Sequence, residues 1–258
     1  MKAVAVIGYK GSGKTLVAST IIRGLRERGY RVAAIKHVHE RLRLPPSDSS
    51  KFYEAGAERV IALGECEWEE LGRGDRRLWE VLMALRGYDY VVVEGFKATF
   101  PGPRIVVARE LKDAKSLSSP LVIAYSGPIA RSKKAVGELG APVVDPEREP
   151  ERLVKIVMEK GFEPPAGLDC GFCRHGSCMA MAIAIARGDA KPSECVALNP
   201  LVSLRVNGVE IPLNPFVQEV FANVVSGLVR SLRGAPSRPS DIEVRVKLGP
   251  GERLDRCG

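Results

Sequence analysis

Short hydrophobic runs alternate with segments of helical period along the first 160 positions of the chain. The runs are rich in β-branched residues and are typical of strands buried on both faces; they lie at 3–8, 30–37, 59–63, 88–95, 104–108, 120–126 and 141–145. Amphipathic helical patterns separate several of them, at 15–29, 76–87 and 149–161. This alternation predicts an α/β fold with a mainly parallel sheet and helices on both faces.

The pattern changes at residues 160–169, where two prolines and two glycines favour a linker. A cysteine-rich segment follows, and then a small α+β unit. That unit consists of a hairpin turning at Asn207–Gly208, a helix over 214–234 that Asn214 caps, and a last strand over 241–248. We therefore expect an α/β domain over 1–162, a small cysteine-rich helical module over 163–200 and an α+β unit over 201–258.

Composition and charge limit the kinds of ligand and partner that this chain is expected to bind. The net charge of +8 comes from 39 basic and 31 acidic residues and suits an anionic ligand, but basic residues are scattered among acids and only 6% of residues are aromatic. Nucleic acid is therefore not expected as a partner. No apolar run approaches the ~20 residues that cross a bilayer, and the glycine loop follows the first strand directly, so we expect a cytoplasmic protein that does not bind membranes.

The segment Gly8–Thr15 (GYKGSGKT) fits the pattern G-x-x-x-x-G-K-[ST] between a strand and a helix. Such a loop curls its backbone N–H groups around phosphate oxygens, and the following helix adds positive charge. Lys14 is expected to reach the outer phosphates and Thr15 to bind magnesium. The loop residues expected at the nucleotide are Gly8, Gly11, Ser12, Gly13, Lys14 and Thr15.

A magnesium site also needs a carboxylate at the end of a neighbouring strand. Glu94 comes directly after the buried run 90–93 and is the first candidate. Asp48 is the second candidate, and an N-cap role at the start of a helix is its alternative interpretation.

Four of the six cysteines have the spacing C-x2-C-x4-C-x16-C: Cys170, Cys173, Cys178 and Cys195. Clustered cysteines in a reducing compartment are more often metal ligands than disulfides. Three bunched thiolates and a late fourth favour a [4Fe-4S] cluster, with zinc or unmetallated thiols as alternatives. An apolar helix is expected from Cys178 to a stop at Gly188. Cys66 and Cys257 lie outside this pattern.

The first domain resembles the MobB family, molybdopterin-guanine dinucleotide biosynthesis protein B. The matching segments are GYKGSGKT, IKHVH at 35–39, DSSKFYEAGA at 48–57 and VVVEGFK at 91–97. The resemblance implies a P-loop NTPase fold that binds GTP with Mg²⁺ and hydrolyses GTP slowly as a homodimer. It implies assistance to the guanylyltransferase that attaches GMP to the pterin cofactor. It also implies that Asp48 and Glu94 serve the magnesium.

The same resemblance places Lys36, His37 and Lys97 around the nucleotide. For His37 and His39, a solvated loop at a strand end is the alternative interpretation. The sequence contains no N-K-x-D motif that would select guanine, so GTP follows from the resemblance alone.

The cysteine segment resembles the four-cysteine [4Fe-4S] module of the Rnf electron-transport B subunit and of corrinoid iron–sulfur proteins. The matching residues are CGFCRHGSCMAMAIAIARGD and SEC, at 170–189 and 193–195.

The leading hypothesis is thus a GTP-binding accessory protein of molybdenum cofactor biosynthesis with an attached [4Fe-4S] domain. Two alternatives stay open. One is a nucleotide-switched electron-transfer or cluster-delivery protein, in which the two sites would bias each other. The other is a nucleotide-dependent scaffold that recruits a partner through its α+β unit.

Overall fold

The structure is a computed structural model, which describes residues 1–38, 42, 44–132, 137–198, 201–236 and 239–247. The chain divides into two compact units, residues 1–198 and residues 199–258. Within the described ranges, every helix is too short or too polar to traverse a bilayer. His39 and Cys257, both named above from the sequence alone, lie outside the described residues.

A six-stranded, fully parallel sheet forms the centre of the first unit. In chain order the strands of this unit are β1 (Lys2–Gly8), β2 (Val32–Lys36), β3 (Arg59–Leu63), β4 (Trp68–Gly72), β5 (Tyr90–Glu94), β6 (Arg104–Val107), β7 (Val122–Ser126) and β8 (Val143–Val144). The order across the sheet is β2-β5-β1-β6-β7-β8. The predicted parallel α/β sheet is therefore confirmed.

Helices cover both faces of this sheet because the side chains of each strand alternate between the faces. Among the described residues, the helices of the first unit are α1 (Lys14–Glu27), α2 (Asp48–Glu54), α3 (Leu78–Ala84), α4 (Leu111–Ser116), α5 (Pro150–Lys160) and α6 (Cys178–Arg187). The second unit, described by itself below, contains α7 (Pro215–Ser231). On β1, Val4 and Val6 pack in one cluster with residues of α1 and α5. Ala5 and Ile7 pack in the opposite cluster with residues of α3, α4 and α6.

The run 59–63 is a strand, as expected, but it lies outside the parallel sheet. β3 pairs antiparallel with β4 as a separate hairpin, with Leu63 opposite Trp68. The sequence did not signal β4, because WEELG has neither β-branched residues nor a clear alternation.

The segment 160–169, predicted as a linker, packs against the sheet. The backbones of Ala3 and Phe162 form an antiparallel bridge, with N···O distances of 2.8 and 3.2 Å. The Phe162 ring lies on the backbone of Gly102 and meets the Phe100 ring edge to face, at a centroid distance of 5.8 Å. Arg86 Nη2 donates a hydrogen bond of 2.9 Å to Pro165 O. The cysteine segment therefore belongs to the same compact unit as the sheet.

The second unit contains the predicted hairpin and helix. β9 (Leu204–Val206) and β10 (Val209–Ile211) flank the turn, where Asn207 and Gly208 both have positive φ. Asn214 Oδ1 caps α7 by accepting the Val217 N–H at 3.0 Å. The prediction of a last strand is wrong for the described residues 241–247, which form none. Alternating polarity specifies a strand only where another strand supplies hydrogen bonds, and no strand in the described part of the chain pairs with residues 241–247.

We predict that Phe162→Ala lowers the free energy of unfolding by about 3–5 kcal/mol, because the substitution opens a cavity beneath Phe100. The midpoint of urea denaturation, followed by far-UV circular dichroism, measures this change. Phe52→Ala is the matched control, since the Phe52 side chain is exposed, and its expected effect is below about 0.5 kcal/mol. Equal midpoints for the two variants would mean that residues 160–169 are a loose linker.

Candidate functional site

The glycine loop connects the end of β1 to the start of α1. Gly8 is the last residue of β1, and Gly11 and Gly13 have φ of 75° and 93°. These left-handed conformations favour glycine because other residues carry a Cβ that clashes there. Ser12 is buried beneath the loop. The loop therefore has the conformation that its sequence predicts, at the carboxyl edge of the sheet.

Lys14 and Thr15, the last two residues of the loop, make side-chain contacts within the candidate site. Lys14 Nζ donates a hydrogen bond of 2.7 Å to Tyr9 O. Thr15 Oγ1 donates one of 3.2 Å to Glu94 Oε2. The Lys14 side chain thus folds back onto the loop, where it is expected to bind a phosphate. The Thr15 hydroxyl contacts Glu94, the first candidate for a magnesium ligand.

Glu94 is brought to the loop by the parallel register of the sheet. β5 lies between β1 and β2, and Glu94 pairs with Val6 on one side and with Lys36 on the other. The Glu94 side chain is only 14% exposed, and its Oε2 lies 3.5 Å from Lys36 Nζ. A carboxylate, a threonine hydroxyl and two ammonium groups therefore share one small region.

Positive charge predominates in this region. Burial lowers the pKa of Lys14; Glu94 opposes this effect, and the neighbouring ammonium groups of Lys36 and Lys97 lower it further. Three ammonium groups against one carboxylate leave a net positive field, which attracts a polyanion.

The remaining predicted residues lie on the turn after β5 and at the end of β2. Lys97 Nζ lies 5.2 Å from the centroid of the Tyr9 ring, and the His37 ring stacks on the Phe96 ring at 4.3 Å. Phe96 has φ of 52°, an uncommon conformation for an aromatic residue that indicates local strain. Arg104 holds this turn in place, because its guanidinium donates to the carbonyls of Lys97 and Phe100.

Asp48 is differently placed from Glu94. It is the first residue of α2, and Ser47 rather than Asp48 is the N-cap, through a capping box with Ser50. The Asp48 side chain is 84% exposed and pairs with Lys51 Nζ at 2.8 Å. Within the described part of the chain, no hydrogen bond or ion pair joins Asp48 to Thr15 or Glu94.

A cavity of about 170 Å³ adjoins the other side of the glycine loop. Its walls are Gly11–Gly13 with Leu16, the segment after β7 from Gly127 to Arg131, and Asp145–Glu147 after β8. The charged residues of this cavity, Arg131, Asp145 and Glu147, were not predicted from the sequence. The available signal was Asp145 itself, a carboxylate directly after the last apolar run.

The four predicted cysteine ligands lie around the start of α6 and beyond its end. Cys195 is buried in a small cluster with Ala166 and Met181, and Cys173 packs against that cluster. Cys170 and Cys178 are partly exposed. α6 runs from Cys178 to a left-handed cap at Gly188, as predicted, and the Ser177 hydroxyl caps its start by accepting the Ala180 N–H.

Asp169 fixes the position of Cys178. Its Oδ1 accepts the Cys178 N–H at 2.7 Å, and its own N–H donates to Cys178 Sγ at 3.2 Å. Burial raises the pKa of the Cys178 thiol, and hydrogen bonds from the backbone of Asp169 and Gly167 partly offset this shift. A metal bound to Cys178 would lower the pKa of this thiol, because it stabilises the thiolate form.

The donor set suits a soft, thiophilic metal group. Within the described residues, no three Cys, His, Asp or Glu side chains stand close enough to bind a single metal ion. Zinc would require all four sulfurs at ~2.3 Å from one point. A cluster distributes its ligands over several irons, and four cysteine thiols are the donor set that such a cluster uses.

α6 connects the cysteines to the core of the sheet. Its Met181 lies in the cysteine cluster, whereas its Ala182 lies in the cluster that contains Val91 and Val93 of β5. Ile185 packs against both clusters. The cysteine segment and the strand that ends at Glu94 are therefore parts of one continuous packed core.

Comparison with known proteins agrees with this two-part organisation. The family model MobB, molybdopterin guanine dinucleotide synthesis protein B, matches residues 3–126. A second model, whose provisional description is an Fe-S cluster, matches residues 166–197. The second match contains all four predicted cysteine ligands.

Two relatives of this chain are named for molybdopterin-guanine dinucleotide biosynthesis. A protein of Methanocaldococcus jannaschii, provisionally named a molybdopterin-guanine dinucleotide biosynthesis adapter protein, is 26% identical over 251 residues, which are 96% of this chain and 98% of the relative. The adapter protein of the same name from Haemophilus influenzae is 32% identical over 113 residues, 42% of this chain and 63% of the relative.

The solved structures agree on the fold. The crystal structure of Bacillus subtilis MobB superposes with a TM-score of 0.51 at 24% identity and covers 62% of this chain and 97% of that one. Residues 3–126 of this chain therefore resemble the MobB family in sequence.

Proposed function

We propose that this protein is a GTP-binding adapter of molybdopterin-guanine dinucleotide biosynthesis that also carries a [4Fe-4S] cluster. The observation that carries the nucleotide part is the convergence of Lys14, Lys36 and Lys97 beside the glycine loop. The relatives named above are adapter proteins of that biosynthesis, which supports the pathway.

In the bound state, the loop N–H groups and Lys14 hold the phosphates. Lys14 exchanges its hydrogen bond with the Tyr9 carbonyl for phosphate oxygens, which bind an ammonium group more strongly because they are charged. Lys36, Lys97 and His37 line the rim and balance the remaining negative charge.

Thr15 and Glu94, whose side-chain oxygens lie 3.2 Å apart, would hold the magnesium. Mg²⁺ uses few protein carboxylates and completes its shell with water and phosphate oxygens. Asp48 joins this shell only if its ion pair with Lys51 opens. We expect slow hydrolysis, because the sequence offers no assigned arginine finger or water-positioning glutamine.

Slow turnover suits an adapter that acts through another protein. The partner is the guanylyltransferase that attaches GMP to the pterin cofactor, and the adapter works as a homodimer in the cytoplasm, where cysteine thiols stay reduced.

The cluster is held by Cys170, Cys173, Cys178 and Cys195. When bound, it supplies one-electron transfer. The chain's own contribution is the apolar cover of α6 and Ala166 and the fixed position of Cys178 beside Asp169.

A second candidate function is a nucleotide-switched electron-transfer or cluster-delivery protein. It is favoured by the packing of α6 against both the cysteines and β5, the strand that carries Glu94. The cluster's midpoint potential with and without GTP separates the two functions, because only coupled sites shift it.

Lys14→Ala is expected to weaken GTP binding by roughly 10- to 100-fold, since a charge-assisted contact to phosphate is lost. Isothermal titration with GTP and Mg²⁺ measures the change. Lys155→Ala is the matched control, because Lys155 lies on α5 and pairs with Glu159; it should bind as the wild type does. Undiminished binding by Lys14→Ala would contradict the proposed phosphate site.

Glu94→Gln is expected to abolish the increase in GTP affinity that Mg²⁺ produces. Affinity in EDTA should stay the same or rise, because a negative charge beside the phosphates is removed. The same titrations with and without Mg²⁺ measure both effects. A variant that retains the full Mg²⁺ dependence would exclude Glu94 as the metal-binding carboxylate.

Cys195→Ser and Cys170→Ser are expected to lose most of the iron and sulfide that the wild type binds during anaerobic reconstitution, because each removes one cluster ligand. Iron and sulfide analysis with electron paramagnetic resonance measures the loss. Cys66→Ser, in the β3–β4 connection, should retain the cluster. Retained GTP binding shows that the variants are folded, and full iron content in them would overturn the assignment.

A further inference from the structure

A cavity lies beside the glycine loop, on the side away from Glu94. The loop forms one wall of the cavity, and the segments after β7 and β8 form the others. These two strands lie on the side of β1 opposite to β5 and Glu94. Phosphates and magnesium therefore belong to one side of the loop, and the cavity on the other side remains for the base and sugar.

The volume and the lining of the cavity suit a heterocyclic base. At about 170 Å³ it is too small for a whole nucleoside triphosphate. Leu16 contributes an apolar surface from α1, and Pro128 and Pro146 contribute others from the two strand-end segments. Apolar surfaces with a few fixed polar groups are typical of small-molecule sites.

Asp145 supplies the fixed polar group. Its side chain is 10% exposed, and its Oδ1 accepts the backbone N–H groups of Glu147 at 2.9 Å and Arg148 at 3.3 Å. Its Oδ2 makes no hydrogen bond within the described residues; the guanidinium Nε atoms of Arg131 and Arg148 lie 4.0 Å away, beyond hydrogen-bond distance. One carboxylate oxygen thus holds the turn, and the other can accept hydrogen bonds from a ligand.

Arg131 adds donors of hydrogen bonds next to this acceptor. It lines the same cavity, and its Nη2 pairs with Glu147 at 2.9 Å across the two segments. Guanine presents N–H donors at N1 and N2 beside an acceptor at O6, whereas adenine carries an amino donor at position 6 and an acceptor at N1. For a base held in one orientation, with Arg131 at position 6 and Asp145 at N1, this pair is complementary to guanine and mismatched to adenine, whose donor and acceptor are in the reverse order.

We propose that Asp145, assisted by Arg131, binds the guanine base and so gives this protein its preference for GTP over ATP. The inference rests on the proposed GTP site, which by itself does not explain the choice of base. It assigns guanine reading to the segments after β7 and β8, in a chain that lacks the N-K-x-D motif.

Asp145→Asn tests the proposal with little disturbance of the fold. The amide oxygen can still accept the N–H groups of Glu147 and Arg148, so only the second oxygen changes, from an acceptor to an N–H donor. Xanthine carries a carbonyl where guanine carries its N2 amino group, so this variant should gain affinity for xanthosine triphosphate.

Competition titrations of the full chain with GTP, ATP and xanthosine triphosphate provide the measurement. The wild type should prefer GTP to ATP by roughly 10- to 100-fold, and Asp145→Asn should lose GTP affinity by a similar factor. The variant's affinity for ATP should change little. Asp89→Asn is the matched control, because Asp89 lies at the opposite edge of the sheet and its oxygen accepts the Arg31 N–H; it should keep the wild-type order.

The outcomes separate this inference from the proposed function. A wild type that binds no nucleoside triphosphate overturns both. A wild type that binds GTP and ATP equally, or an Asp145→Asn variant whose order of preference is unchanged, overturns base reading by Asp145 and leaves the phosphate site standing. A switch of preference toward xanthosine triphosphate supports the proposal.

Discussion

The parallel pairing of β1 with its two neighbours positions every part of the site. Val6 lies opposite Glu94 of β5, and Gly8 lies opposite Val107 of β6. Because parallel strands end at the same edge of a sheet, this register sets the glycine loop between the carboxylate on one side and the cavity on the other. A shift of one residue would turn Glu94 away from Thr15, since the side chains of a strand alternate between faces.

Charge explains why this edge suits a triphosphate. The ammonium groups around Glu94 repel one another in a partly buried region, so the site without a ligand holds uncompensated positive charge. The proposed triphosphate would relieve that repulsion. The hydrogen bond from Lys14 to the Tyr9 carbonyl partly compensates the ammonium group, and in the proposed complex a phosphate oxygen would take the place of that carbonyl.

The cysteine segment is built on the same core instead of being attached by a free linker. The Ala3–Phe162 bridge continues the order of the sheet into residues 160–169, and α6 then packs one side against the β5 cluster and the other against Cys195. Cores packed this closely transmit displacement because they contain few voids. The relative in Methanocaldococcus jannaschii aligns over 96% of this chain, and therefore over both the sheet and the cysteine segment.

The sequence by itself determined the features that depend on neighbouring residues. The glycine loop, the span of α6 from Cys178 to Gly188, the Asn207–Gly208 turn and the Asn214 cap follow from backbone preferences that act within a few positions. Only the tertiary structure decided which strands pair. β3 lies outside the parallel sheet, and residues 241–247 have no partner strand among the described residues. Asp48 pairs with Lys51, and Asp145 lies beside the glycine loop although more than a hundred residues separate the two in sequence. Periodicity specifies which face of an element is apolar, but hydrogen bonding between distant strands selects the neighbours of each element.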